Sequence, residues 1–82
     1  MQVTIKYFAS IREAIGQASE RRETAATTLG GLRDELLAAS DVYACLSRSR
    51  AVRMALGQVM SDENAALSPG CEVAFFPPVT GG

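Results

Sequence analysis

The residues best placed to do chemistry in this 82-residue chain are its last two, Gly81 and Gly82. Neither carries a side chain, so the final carboxylate is open to close approach by an enzyme or a nucleotide, and the pair can enter a narrow channel. The residues before them are Pro77-Pro78-Val79-Thr80. Two prolines cannot extend a β-ladder; they end the strand before them and stiffen the tail toward polyproline II. Six residues from Pro77 reach roughly 20 Å, at about 3.1–3.5 Å each. Two glycines end a chain by chance in about 0.5% of cases, at a glycine frequency of about 7%, so the pair alone is weak evidence. Placed directly after a strand and a Pro-Pro spacer, it is much stronger.

Other chemistries lack their residues. There is no histidine to act as a general base, and no serine or cysteine sits in a recognisable nucleophile motif. Cys45 and Cys71 lie far apart with no CxxC spacing, so the usual zinc ligand sets cannot be assembled and no metal is expected. Both are expected to be reduced thiols with packing or surface roles. Gly30-Gly31 lacks the Lys-Ser/Thr ending of a phosphate-cradling loop. A net charge of −1 gives no reason to expect nucleic acid or an anionic membrane as partner. No apolar run approaches the roughly 20 residues of a membrane helix, and the opening residues lack the pattern of a secretory signal. The expected setting is cytoplasmic.

The elements that must present the tail can be read from periodicity. Residues Gln2 to Phe8 alternate, with Val3, Ile5 and Tyr7 on one side, which predicts a half-buried strand. Ser10 is the expected cap of a short helical turn from Ile11 to Ile15, stopped by Gly16. Ser19 to Thr24 reads as a weak strand antiparallel to the first. After Thr27 or Thr28 as cap, Leu29, Leu32, Leu36 and Leu37 mark the main helix, with Arg33, Asp34 and Glu35 on its other faces. Gly30 and Gly31 are awkward in its first turn, at about 1 kcal/mol each in a helix interior.

Asp41 to Ser49 is expected to connect, with Val42, Tyr43 and Leu46 packing back on the core. Next come a strand at Ala51–Leu56, a tight turn at Gly57-Gln58 and a short strand at Val59-Met60. Ser61 to Ser68 is a polar loop anchored by Leu67, Pro69-Gly70 is a turn, and Glu72–Phe76 is the last strand. One main helix on a mixed sheet is an α+β arrangement. Placing the first and last strands side by side in the middle, which alternation alone does not force, makes it a β-grasp fold. The expected organisation is a domain over 1–76 and a tail over 77–82.

Gly70-Cys71-Glu72-Val73-Ala74-Phe75-Phe76-Pro77-Pro78-Val79-Thr80-Gly81-Gly82 resembles the C-terminal signature of the ubiquitin-like family of molybdopterin synthase small, sulfur-carrying subunits. That signature is Gly-Asp-Glu-Val-Ala, an aromatic, Pro-Pro-Val and Gly-Gly. Tyr7-Phe8-Ala9, Ile11-Arg12-Glu13 and Gly16 resemble the family's N-terminal pattern. Cys71 departs from the usual aspartate, and Gly57 from a frequent asparagine; both fall in turns away from the tail.

The resemblance implies that the Gly82 carboxylate is adenylated with ATP by a separate ubiquitin-activating-like enzyme. A sulfur donor enzyme then leaves a thiocarboxylate on Gly82, and the tail, Pro77, Pro78, Val79, Thr80 and Gly81, carries it into the large synthase subunit. There its sulfur goes to cyclic pyranopterin monophosphate, building the dithiolene of molybdopterin. Catalytic residues belong to the large subunit, no cofactor is bound, and ATP meets the chain only on the activating enzyme. Two small and two large subunits are implied.

Alternation also points to a partner surface. Phe8 and Phe76 face outward beside the tail, with Met60 as a third member and Arg12 as a candidate polar contact. Arg48, Arg50 and Arg53 read as a solvated basic edge. Two other functions stay open: a sulfur carrier for thiamine, cysteine or tRNA thiolation, and a β-grasp module that binds without covalent chemistry.

Overall fold

A computed structural model describes residues 1–78. The chain forms β1 (Gln2–Tyr7), α1 (Ala9–Ile15), β2 (Ser19–Glu23), α2 (Leu29–Ala39), a 3-10 helix (Asp41–Leu46), β3 (Arg53–Leu56), β4 (Val59–Ser61) and β5 (Glu72–Phe76). The five strands make one sheet in the order β2-β1-β5-β3-β4. β1 and β5 run parallel at its centre, pairing Thr4 with Glu72 through Tyr7 with Phe75, and the other neighbours are antiparallel. This is the β-grasp topology. No helix among the described residues is long and apolar enough to cross a membrane.

Alternation does its work in the two central strands. Val3, Ile5 and Tyr7 of β1 and Val73 and Phe75 of β5 are all buried on one face, where they join Leu29, Leu32 and Leu36 of α2 in the core. The i, i+3, i+7 spacing of those leucines gives α2 a single apolar stripe. Leu37 is only half-buried at the margin.

Thr28 is the cap of α2, its hydroxyl accepting from the Gly31 N–H at 3.1 Å. The awkward Gly30 has a packing reason. Its N–H donates to the Glu63 carbonyl at 2.9 Å, and a Cβ there would stand 3.0 Å from the Glu63 Cβ and 3.2 Å from its carbonyl oxygen. The 62–65 loop crosses the first turn of α2 where only glycine leaves room. The Arg48 guanidinium closes the same corner, pairing with Asp34 of α2 and Glu63 of the loop. Arg48 is thus committed to structure and does not belong to a free basic edge.

Several local expectations need correction. The residue before α1 is Phe8, with no side-chain cap, and Ser10 lies inside the helix. The chain makes that corner at Ala9, whose φ of 51 is left-handed, while Gly16 ends α1 as expected, its N–H donating to the Arg12 carbonyl at 2.8 Å. Val42 is exposed, and only Tyr43 and Leu46 of the 3-10 helix are buried. Arg33 does not lie on a solvated face of α2. It is 5% exposed, and its Nε and Nη2 donate to the carbonyls of Leu46 at 2.5 Å and Ser47 at 3.0 Å. A buried guanidinium is tolerated because it caps carbonyls that the ending 3-10 helix leaves free.

Both departures from the family pattern are conformationally mild. Gly57 and Gln58 take φ of 58 and 69, the two left-handed residues of a type I′ hairpin, for which glycine and asparagine are the usual choices. In the 68–71 turn, Gly70 has φ 78 and the Cys71 N–H donates to the Ser68 carbonyl. The turn uses the backbone of Cys71, whatever its side chain.

β2 is fastened to α2 by polar contacts. Arg22 Nε donates to Glu35 Oε1 at 3.0 Å, and the hydroxyl of buried Thr24 donates to Glu35 Oε2 at 2.7 Å. Burial pushes the Glu35 carboxyl upward, but these hydrogen bonds and the Arg22 charge outweigh it and hold its pKa below the usual value. A depressed carboxylate contributes stability above its unfolded pKa of about 4.3, lost as pH falls through the folded value. Thermal unfolding between about pH 6 and 3 should therefore show Glu35→Gln less stable than the parent near neutrality, with the difference shrinking on acidification. Gly30→Ala should lose roughly 1–3 kcal/mol in chemical denaturation, because the atoms it meets include backbone.

Candidate functional site

The sheet face turned away from α2 collects the residues that the alternation sends outward. Pairing places Phe76 of β5 opposite Arg53 of β3, Ala74 between Lys6 and Ala55, and Met60 of β4 opposite Ala55. Phe8 continues β1 next to β5, its N–H donating to the Phe75 carbonyl at 3.2 Å. The Phe8 and Phe76 rings meet edge to face, with centroids 6.4 Å apart and planes at 84°. Such a pair gains about 0.5–1.5 kcal/mol beyond its burial, which fixes both rings without hiding them. Phe8 is 45% and Met60 53% exposed, and Phe76 is half-buried.

These three expected partner residues thus share one face. Alanines at 55 and 74 leave the strip between Met60 and Phe76 low. Arg12 is elsewhere, on α1 one turn beyond Phe8, its N–H donating to the Phe8 carbonyl at 3.3 Å. Its side chain is exposed and pairs with no carboxylate among the described residues.

Sequence reasoning missed Arg53 and the two alanines as members of this face. The signal was available: in Arg53-Met54-Ala55-Leu56, period two sends Arg53 and Ala55 opposite to the inward Met54. Lys6 on the same face is occupied by Glu72 at 2.7 Å. Arg53 has no such partner among the described residues, so it is the free cation beside the aromatic pair.

The tail leaves β5 at this edge. Pro77 is half-buried and Pro78 exposed. Val79, Thr80, Gly81 and Gly82 lie outside the described residues. Behind the root of the tail, on the side of α1 and the 3-10 helix, Pro77 and Pro78 border a cleft of about 220 Å³ that also contains Ile11, Cys45 and Arg50.

Neither cysteine offers competing chemistry. Burial pushes the Cys45 thiol above its ordinary pKa, which keeps it protonated and a poor nucleophile. Cys71 precedes the first residue of β5, whereas Cys45 lies with Pro77 beyond its last, so the length of a strand separates them. Among the described residues no three metal-ligating side chains gather.

The hydroxyl of Tyr7 is buried with no hydrogen-bond partner among the described residues. Burial first, then the Glu20 charge, raises its pKa, so it remains a neutral phenol. Its ring serves the core, stacked at 6.3 Å on Phe75.

Comparison with known proteins adds to this geometry. Residues 5–82 match the ThiS family. The chain is 34% identical over 80 residues to the molybdopterin synthase sulfur carrier subunit of Escherichia coli, covering 98% of this chain and 99% of that protein. Identity to the Haemophilus influenzae protein of the same name is 32%, with the same coverage. Among solved structures, SAMP1 from Haloferax volcanii superposes with a TM-score of 0.80 at 25% identity, covering all of both chains. A chain in the complex of subunits 1 and 2 of molybdopterin-converting factor from Helicobacter pylori also matches over its full length and that of this chain, with a TM-score of 0.68 at 24% identity, a likeness of fold. The chain belongs to the ThiS family of ubiquitin-like proteins, together with the molybdopterin synthase sulfur carrier subunits.

Proposed function

We propose that this chain is the sulfur carrier subunit of a cytoplasmic molybdopterin synthase, with the Gly82 carboxylate as its working group. The observation that carries the proposal is the pairing of a full-length relationship to two molybdopterin synthase sulfur carrier subunits with an exposed aromatic face at the root of a Pro-Pro tail. A carboxylate is a poor electrophile. On an adenylating enzyme, the Gly82 oxygen attacks the α-phosphorus of ATP, pyrophosphate leaves, and an acyl-adenylate forms. The terminal sulfur of a donor enzyme's persulfide then displaces AMP to give an acyl disulfide, and a thiol that attacks the donor's own sulfur, forming a disulfide with it, releases the thiocarboxylate on Gly82.

The large subunit receives the tail, the thiocarboxylate sulfur bonds a carbon of cyclic pyranopterin monophosphate in place of an oxygen, and water cleaves the resulting acyl–sulfur bond to return the Gly82 carboxylate. Two such deliveries complete a dithiolene. This chain supplies a docking face and an arm, and the catalytic side chains are the partner's. Phe8, Phe76 and Met60 form the apolar centre of the docking face, Arg53 adds charge at its rim, and Arg12 on α1 is a polar contact outside that face.

Carriers for thiamine, cysteine or tRNA thiolation share the same activation chemistry, and the ThiS family match accommodates them. The names of the two full-length relatives and the Phe76-Pro77-Pro78-Val79 approach to the glycines favour molybdopterin.

Intact mass after incubation with ATP, adenylating enzyme and sulfur donor tests the chemistry. Replacement of one oxygen by sulfur, mapped to Gly82 and lost when Gly82 is deleted, is the expected result. An unchanged mass with partners proven active on another carrier would sink the proposal, and full function without Gly82 would favour a purely binding module. For the docking face, Met60→Glu and Phe8→Ala should each weaken binding to the large subunit by at least about tenfold, the scale of a central contact. Met60 is exposed, so thermal stability should hardly move in Met60→Glu, whereas Phe8→Ala also loses the edge-to-face pair and should cost about 0.5–1.5 kcal/mol or more; unaltered affinity in both variants would place the interface elsewhere.

A further inference from the structure

Four of the eight lysines and arginines are committed within the fold. Lys6, Arg22 and Arg48 pair with carboxylates, and buried Arg33 donates to backbone carbonyls. Arg12, Arg21, Arg50 and Arg53 are exposed and pair with no carboxylate among the described residues. Three of these four stand around the root of the tail. Arg53 is the cross-strand neighbour of Phe76. Arg50 lines the cleft that Pro77 and Pro78 border. Arg12 is on α1, whose Ile11 and Ala14 face the same cleft. Its N–H donates to the carbonyl of Phe8, the residue whose ring meets Phe76. Arg21 is the exception: it pairs with Thr4, and Thr4 with Glu72 at the opposite end of β5.

Acidic side chains do not neutralise these three arginines. Glu23, Asp34, Glu35, Glu63 and Glu72 each pair with a cation elsewhere, and Glu20 accepts from the Tyr43 hydroxyl. Asp62 shares a groove with Arg53 without pairing with it, and its Oδ1 accepts from the Asn64 N–H at 2.8 Å. Glu13 follows Arg12 on α1 but lies about 100° further round the helix. Asp41 opens the 3-10 helix, about 8 Å before the cleft residue Cys45 at about 2.0 Å per residue. A chain of net charge −1 thus gathers three unpaired cations where its tail begins, beside the exposed Phe8 and half-buried Phe76.

We propose that Arg12, Arg50 and Arg53 form a basic collar that recognises carboxylates of a protein partner, set around the opening through which that partner admits the tail. The proposal rests on the carrier reading, which supplies the partner, the large synthase subunit. Two features select an acidic protein surface over nucleic acid. The collar adjoins an aromatic pair, and an apolar centre bordered by arginine is the anatomy of a protein interface. The chain around it is net negative, so a polyphosphate backbone would be repelled by the rest of the surface. Guanidinium groups match carboxylates in a planar, two-pronged geometry. Charges at an interface border act on encounter: they raise the association rate and orient the approach, and they change dissociation less.

Stopped-flow association of the full-length chain with the large subunit, at about 0.05 M and about 1 M salt, tests it. Over that range the Debye length falls from more than about 10 Å to about 3 Å. The unchanged chain should associate at least about tenfold faster at the lower salt. Combining Arg12→Gln, Arg50→Gln and Arg53→Gln should remove most of that acceleration, with dissociation changed less than about threefold. Arg53→Gln alone should slow association at low salt more than Arg21→Gln, which removes the same charge at the far end of the sheet face. All four side chains are exposed, so the unfolding temperature should stay constant, as it would not if these arginines served the fold. A salt-independent association rate, no change in the triple variant, or equal slowing by Arg21→Gln and Arg53→Gln would overturn the collar and leave the carrier chemistry standing. Binding of an RNA oligonucleotide through the three arginines, with association to the large subunit unaltered in the triple variant, would overturn it in favour of nucleic acid. If the unchanged chain failed to bind a large subunit proven active with another carrier, the collar and the carrier reading would fall together.

Discussion

The structure depends on the parallel pairing of β1 with β5. It joins residues some seventy positions apart, and both strands send every second side chain into the same core. Parallel neighbours cannot be linked by a tight turn, so everything between them, the helices and the other three strands, is the connection. Val3, Ile5 and Tyr7 on one strand and Val73 and Phe75 on the other are essentially inaccessible to solvent. At roughly 1.5–3 kcal/mol for each large apolar side chain fully buried, this small group outweighs any surface contact in the molecule. The same pairing brings Phe8, just past the end of β1, beside Phe76, and so assembles the aromatic pair from opposite ends of the chain.

Around that centre, polar side chains act as fasteners. Arg33 caps carbonyls at the end of the 3-10 helix, Arg48 ties that region to α2 and the 62–65 loop, and Glu35 ties α2 to β2. A domain of this size buries a limited fraction of its surface, and long loops add little core. Polar clasps and one close glycine contact hold the loops instead. Exposed members of these networks contribute little individually. The buried ones, Arg33 and Thr24, matter more, because a lost partner strands a polar group away from water.

The division of surfaces has the same origin in small size. One side of the sheet is committed to the core by α2, which leaves the other side for a partner. The tail root stands at one end of this face, with an apolar cleft behind it. A chain that presents a reactive end needs a surface to be gripped by and a spacer that reaches. In the proposed reading Phe8, Phe76 and Met60 are that surface, an apolar group beside Pro77 and Pro78 with Arg53 at its border. Burial keeps the Cys45 thiol protonated and the Tyr7 phenol neutral.

Elements with a strong period were legible from residues alone: the alternation of β1 and β5, the leucine stripe of α2, and the turns at Gly57-Gln58 and Pro69-Gly70. Each is determined by interactions within a few residues, so neighbouring side chains carry the information. The chemistry proposed for Gly82 was likewise drawn from local residue types and a family resemblance. What only the tertiary structure decided involves partners distant in sequence. Gly30 reads as a flaw until Glu63 crosses it, and Arg33 reads as a surface cation until Leu46 and Ser47 turn their carbonyls toward it. Arg48 reads as an unpaired surface cation until Asp34 and Glu63 converge on it. The outward face obeys the same logic: period two names the side of each strand, but only the order β2-β1-β5-β3-β4 puts Met60, Arg53 and Phe76 together. Alternation is a property of one strand, whereas a binding face requires neighbours, and neighbours are chosen by long-range pairing that no local pattern encodes.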